Sequence, residues 1–229
     1  YQKLYDEGDI TLSTFCSWIF LNNYKYDWSQ KNFLEYSKQI EKYIPLVPEE
    51  KLFNLSSVKC DKIKIGFVSS DVNKVHSITF FLKTILSSYD NTKFEIFLFL
   101  NSNKEDEGTL KFKSLVDHSI NITDLNDVEC INTIRKLNLN IIFDLMGVTS
   151  TNRVSLFKNR LAPVQISWLG YCNTMGIKNM DYLISDQNLI YENEHNLYSE
   201  KVLYLPNIWN CHCGFDFERA ENPSPYLLN

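Results

Sequence analysis

His76 is the residue of this 229-residue chain best suited to proton chemistry. An imidazole, with an ordinary pKa of about 6.5, can take or give a proton near neutral pH. His76 follows a β-rich run at 63–68 and opens a helical stretch, where the same ring can equally serve as a surface or helix-capping group. Asp71 and Asp144 each close a β-rich run. A carboxylate there can orient a base or bind a ligand hydroxyl, and it can as readily cap the free amides of the next helix. Gly147-Val148-Thr149, followed by Asn152 and Arg153, forms a small-residue turn entering a helix. Such turns let backbone amides approach a sugar or phosphate, although an ordinary strand-to-helix turn has the same composition. Cys211-His212-Cys213 packs three metal-ligating types together, short of the four suitably spaced ligands of a structural zinc site. The chain has neither a G-x-G-x-x-G fingerprint after Gly66 nor a Walker motif.

The elements that must position these groups follow from periodicity. Residues 1–45 read as helical, with Leu12, Phe15, Ile19 and Phe20 on one face and Phe33, Tyr36, Ile40 and Tyr43 on another. Ser29 stands where a second helix starts, and Pro45 and Pro48 stop it. The stretch 46–60 reads as a linker. From Lys62 onward, β-rich runs recur at 63–68, 94–100, 120–123, 140–145, 164–169, 182–184 and 202–204, with helical stretches at 77–88, 108–117 and 127–138. Strands alternating with helices predict an α/β fold built on a parallel sheet covered on both faces. Such sheets bind ligands beyond the carboxyl ends of their strands, near a switch in strand order. Ser69-Ser70-Asp71, Gly147-Val148-Thr149 and Gly170-Tyr171 each follow a strand and are therefore expected on one rim. The stretch 206–229, with Pro206, Pro223 and Pro225, reads as a linker.

Composition is that of a globular protein: 44% hydrophobic, 22% charged and 14% aromatic, with net charge −5. That much apolar side chain can fill a core, which argues against disorder. The absence of a dense basic stripe argues against a nucleic-acid partner. No apolar run approaches the roughly 18 residues of a membrane span. Six cysteines in a chain of this length do not make a disulfide scaffold, and they read as reduced thiols in a cytoplasmic setting.

The wording of several segments carries a more specific signal. Ile65-Gly66-Phe67-Val68-Ser69-Ser70-Asp71, then His76-Ser77-Ile78-Thr79-Phe80-Phe81-Leu82, resembles the opening strand and catalytic-histidine segment of the protein O-GlcNAc transferases of the SPINDLY type. Asp144-Leu145-Met146-Gly147-Val148-Thr149 with Asn152-Arg153 resembles that family's D-L-x-G-H-T segment. Ala162-Pro163-Val164-Gln165-Ile166-Ser167-Trp168-Leu169-Gly170-Tyr171 resembles it most closely. Met180-Asp181-Tyr182, Asp186, Tyr198-Ser199-Glu200-Lys201 and Leu205-Pro206 follow in the family's order. The Asn23-Tyr24 region is similar to the segment joining the family's tetratricopeptide repeats to its catalytic core.

The resemblance implies a two-lobed, GT-B-type glycosyltransferase. Residues 1–60 would be a helical segment and linker, the possible end of a tetratricopeptide-like array. Residues 61–205 would be the Rossmann-like amino-terminal catalytic lobe, and 206–229 a linker toward a second lobe that carries the UDP contacts. It implies inverting transfer of N-acetylglucosamine from UDP-GlcNAc to Ser/Thr hydroxyls of acceptor proteins, without a metal or other cofactor. Plant SPINDLY-type relatives use fucose. His76 falls on the histidine proposed to work as, or near, the general base. Asp71, Asp144, Gly147, Thr149, Arg153, Gly170 and Tyr171 fall on the substrate side. Three departures stand out: Val148 in place of a frequent histidine, Cys172-Asn173 in place of Pro-Gly, and no second lobe within these residues. The 229-residue chain alone is therefore expected to be inactive. The competing reading is a non-catalytic protein-binding module derived from this family.

Overall fold

The computed structural model describes residues 1–47, 61–212 and 214. The chain opens with three helices, α1 (Gln2–Asp6), α2 (Leu12–Asn22) and α3 (Gln30–Ser37), and a 3-10 turn at Lys38–Tyr43. Side-chain caps set the starts of α2 and α3. Thr11 accepts from the Thr14 amide, and Ser29 and Asn32 exchange side-chain-to-backbone hydrogen bonds in a capping box. Phe15 and Ile19 are fully buried as their spacing requires, and Trp18 and Cys16 are buried beside them. The reason is an aromatic cluster on that side: Trp18 stacks on Tyr5 and meets Trp28 and Tyr36 edge-on.

Seven strands follow, all parallel: β1 (Ile63–Ser69), β2 (Phe94–Leu100), β3 (His118–Asn121), β4 (Ile141–Asp144), β5 (Val164–Ser167), β6 (Tyr182–Ser185) and β7 (Lys201–Tyr204). Their order is β3-β2-β1-β4-β5-β6-β7. Between them run α4 (Ser77–Leu86), α5 (Glu107–Lys113), α6 (Asp127–Lys136), α7 (Val154–Lys158) and a 3-10 turn at Glu192–Leu197. Period-two alternation divides the central strands between two cores. Phe67, Ile96, Leu98 and Leu100 face one core with Ile78, Leu82 and Leu86 of α4 and Phe112 of α5. Val68, Phe97, Phe99 and Ile142 face the other with Cys130, Ile131 and Ile134 of α6 and Leu156 and Phe157 of α7.

The opening helices belong to this second core: Phe15, Ile19, Phe33 and Ile40 lie in the same apolar cluster as Tyr171, Met175, Ile177 and Met180. Polar contacts lock the junction. Gln30 donates to Asn173 Oδ1 at 2.6 Å, Asn173 donates to Asn23 Oδ1 at 3.2 Å, and Lys158 Nζ donates to the carbonyls of Glu41 and Ile44.

Some expected boundaries moved. The third strand runs from His118 to Asn121 rather than over 120–123, because pairing with Phe97–Leu100 of β2, not apolarity, sets the extent of this exposed edge strand. The fourth and fifth strands stop before Leu145 and Leu169. Both residues are buried, but in the turns that leave the sheet.

Candidate functional site

Strand order reverses between β1 and β4. The chain leaves β1 on one face and β4 on the other, which opens a crevice at their carboxyl ends. Asp71 lies just beyond β1. Its amide donates to Ser69 Oγ and its Oδ1 accepts from Ser70 Oγ, both at 3.0 Å. His76 is the N-cap of α4: its Nδ1 accepts the Ile78 amide at 3.3 Å, and its carbonyl accepts the Thr79 hydroxyl at 2.5 Å. With Nδ1 engaged as an acceptor, the neutral ring carries its proton on Nε2. Nε2 points to Asp71 Oδ1 at 3.9 Å, and both side chains reach solvent, at 39% and 22% exposure. The two readings of His76 are therefore not exclusive. One ring nitrogen caps a helix while the other faces a carboxylate on the rim.

Asp144, at the end of β4, folds back on its own turn. Its Oδ1 accepts the Met146 amide at 3.0 Å and its Oδ2 the Gly147 amide at 2.9 Å. Burial pushes its carboxyl up to about 7, against the pull of those two amides. Thr149 turns inward as well, its amide and hydroxyl both donating to the Met146 carbonyl. The amides of Met146, Gly147 and Thr149 are thus spent inside the turn and do not point at a ligand.

The turns after β4 and β5 are wedged together. Gly147 has φ +60°, and a Cβ there would sit 2.3 Å from Tyr171 Cβ. A Cβ on Gly170 would sit 1.9 Å from the Leu145 carbonyl oxygen and 3.2 Å from Ile78 Cδ1, at the start of α4. Leu169 between them has φ +81°, and the Gly170 amide donates to the Trp168 carbonyl at 3.1 Å, closing a γ-turn. The Tyr171 hydroxyl is buried and accepts from Asn23 Nδ2 at 3.4 Å, so it faces the opening helices. Arg153 is spent at the start of α6, donating to the Leu125 carbonyl at 2.9 Å and pairing with Asp127 at 3.4 Å.

The structure therefore brings Asp71 and His76 into one pair. Gly147, Gly170 and Tyr171 form one wedge beside it, Asp144 and Thr149 brace the turn beneath, and Arg153 turns away. Three groups of this rim went unnoticed in the sequence as members of a site: Ser70, Thr151 and Asn101. Ser70 stood in a recognised polar cluster, but nothing in a threonine signals the left-handed φ of +58° that Thr151 adopts.

The chain after β7 doubles back along this rim. Trp209 is held at both backbone groups: its amide donates to Asp186 Oδ2 at 2.6 Å and its carbonyl accepts from Trp168 Nε1 at 2.9 Å. His212 then stacks on Phe80 of α4, ring centroids 5.5 Å apart. Cys213 lies outside the described residues. Among those described, no group of three or more His, Cys, Asp or Glu side chains is placed to hold a metal ion. Cys16, Cys130, Cys172 and Cys211 are free thiols, and no described helix is long and apolar enough to cross a membrane.

A Rossmann-like α/β lobe with its polar rim at the β1–β4 switch is the architecture of one half of a GT-B-type glycosyltransferase, and of many other nucleotide-binding enzymes as well. The sequence signature of glycosyl transferase family 41 matches residues 43–213, and the chain belongs to that family. It is 28% identical over 192 residues to a probable UDP-N-acetylglucosamine–peptide N-acetylglucosaminyltransferase SPINDLY of Solanum lycopersicum, covering 82% of this chain and 20% of that protein. It is 30% identical over 150 residues to the UDP-N-acetylglucosamine–peptide N-acetylglucosaminyltransferase of Caenorhabditis elegans, covering 64% of this chain and 13% of that one. The fold superposes on an O-GlcNAc transferase mutant of Thermobaculum terrenum with TM-score 0.80 and 25% identity, over 87% of this chain and 38% of that chain. The chain thus spans about a fifth of the length of the curated relatives first matched.

Proposed function

We propose that this chain is the amino-terminal catalytic lobe of a protein O-glycosyltransferase that moves N-acetylglucosamine from UDP-GlcNAc to Ser/Thr hydroxyls of acceptor proteins, by inversion and without a metal, in the cytoplasm. The observation that carries the proposal is the Asp71–His76 pair, half-buried at the switch point beside the Gly147–Gly170 wedge. An acceptor hydroxyl attacking an anomeric carbon must shed its proton, and the leaving diphosphate must have its charge stabilised. The pair supplies the first need. The Asp71 carboxylate at the crevice is the group that takes the proton, and His76, with Nδ1 holding the Ile78 amide and its Nε2 proton 3.9 Å from Asp71 Oδ1, stands beside it to orient the carboxylate and stabilise its charge. Charge on the leaving UDP falls to the second lobe that the family architecture provides. Asp144, Thr149 and Tyr171 support this geometry from beneath, and the tightness of Gly147 against Tyr171 keeps the crevice floor in place.

The test is transfer from labelled UDP-GlcNAc to a peptide mixture by the full-length protein and its variants. His76→Asn is the informative change, because Asn keeps an N-cap acceptor for the Ile78 amide while removing the imidazole. A fall in kcat of roughly a hundredfold or more, in a protein that still folds, is the expected result. Unchanged kcat would remove His76 from the chemistry, and an absence of transfer with every nucleotide sugar would favour the binding-module reading.

A further inference from the structure

We propose that Thr151 and Ser70 are positioning residues that aim the Asp71 carboxylate at His76 through a one-way relay of hydroxyl hydrogen bonds. This rests on the reading of Asp71 and His76 as the proton-handling pair. The direction of the relay follows from donor and acceptor capacity. An ionised carboxylate can only accept, so the 3.0 Å contact from Ser70 Oγ to Asp71 Oδ1 uses the Ser70 proton. Ser70 Oγ can then only accept at its other contact, the Thr151 hydroxyl at 2.8 Å. Thr151 has one hydroxyl proton, which it shares between the Ser150 carbonyl at 2.6 Å and Ser70 Oγ, and Ser70 donates into the same Asp71 oxygen that faces His76 Nε2 at 3.9 Å.

A second, independent observation is the backbone of Thr151. Its φ of +58° is uncommon for any residue but glycine and is an outlier for a β-branched one. Strain of this kind persists only where the surroundings over-determine it, and it concentrates at functional sites. Here the surroundings are visible: Asn101, just beyond β2, donates from Nδ2 to the Thr151 carbonyl at 2.8 Å. The loop after β4 is thus tied to the carboxyl ends of both β1 and β2. A glycine would take the same backbone without strain but would deliver no hydroxyl. The threonine at 151 is explained by its hydroxyl and not by its backbone.

That contrast supplies the experiment, done on the full-length protein with Thr151→Gly, Thr151→Ser and Ser70→Ala. Thr151→Gly removes the strain together with the hydroxyl, so Tm should hold or rise while kcat falls roughly tenfold with donor KM unchanged. Thr151→Ser should restore kcat, and Ser70→Ala should behave like Thr151→Gly. The second readout needs no transfer activity: the 13Cε1 resonance of His76, assigned by its loss in His76→Asn. It should shift in Thr151→Gly and Ser70→Ala and stay in place in Thr151→Ser. A wild-type protein that transfers nothing would sink the functional reading, and the His76 resonance would then decide the relay alone. A His76 signal unmoved in Thr151→Gly and Ser70→Ala overturns the relay, as does Thr151→Ser falling in kcat as far as Thr151→Gly.

Discussion

Replacing Asp144 with asparagine should make the lobe less sensitive to rising pH. Asp144 is 1% exposed and, among the described residues, is met by the amides of Met146 and Gly147 and by no cationic side chain. Burial raises its carboxyl from 3.8 to about 7. The folded state therefore holds this proton more tightly than the unfolded chain does. Between pH 4 and pH 7 the native form binds more protons, so stability falls as pH rises through that window and levels off above it. A shift of about three units corresponds to roughly 4 kcal/mol of penalty at pH 8 relative to pH 4. In Asp144→Asn the group cannot ionise. The Asn oxygen keeps one of the two amide bonds, and its NH2 faces the second amide donor, a fixed cost of about 1–3 kcal/mol. The assay is urea unfolding of wild type and variant at pH 4.5, 5.5, 6.5 and 8. Taking the difference between the two proteins cancels Glu200, another carboxyl raised by burial. Wild type should be at least as stable as the variant at pH 4.5 and the less stable of the two by pH 8, because the ionisation penalty of roughly 4 kcal/mol exceeds the fixed cost of asparagine. A difference that stays flat, or that grows in favour of wild type with pH, would refute the reasoning. It would show that the two amides outweigh burial and that Asp144 is ionised in the fold.

Two further outcomes test the architecture of the rim. Gly170→Ala should destabilise the lobe by about 2–4 kcal/mol, seen as a lowered Tm, because its Cβ would lie 1.9 Å from the Leu145 carbonyl oxygen and that backbone cannot step aside without moving the turn after β4. Trp168→Phe keeps an aromatic ring but a smaller one, so it deletes the Nε1 donor to Trp209 and leaves a small void. A loss of about 1–3 kcal/mol is expected, and faster hydrogen exchange at the Trp209 amide with the β6 amides unaffected would locate the lost hydrogen bond in the returning segment.

The parallel sheet and six of its strands were legible in the sequence because burial writes near-continuous apolar runs, of which 94–100 is the clearest, whereas the exposed edge strand β3 left only a weak and displaced signal. The rim was legible for the same reason: whatever follows a parallel strand is delivered to one side of the sheet. What the polar groups do on that rim was not. Asp144 and Asp71 look alike as strand-ending aspartates, yet one is buried in its own turn and the other is half-buried beside His76, within reach of solvent. The difference lies in Tyr171 and Gly170, which close over the β4 turn from a segment some 25 residues later. Likewise, the amphipathic faces of α2 and α3 announced burial but could not say against what. Their partners in the β5–β6 connection are far away in sequence, and periodicity carries no information about such pairings.

That shared core has a consequence in time. Asn23 and Tyr171, which meet in the fold, are 148 residues apart. At a synthesis rate of 5–20 residues per second, roughly 7–30 s separate the appearance of the first from that of the second. Throughout that interval Phe15, Ile19, Phe33 and Ile40 lack Met175, Ile177 and Met180, with which they share a core in the fold. Helices α2 and α3 are made before the sheet yet reach their final place only after most of it has emerged, when the β5–β6 connection arrives.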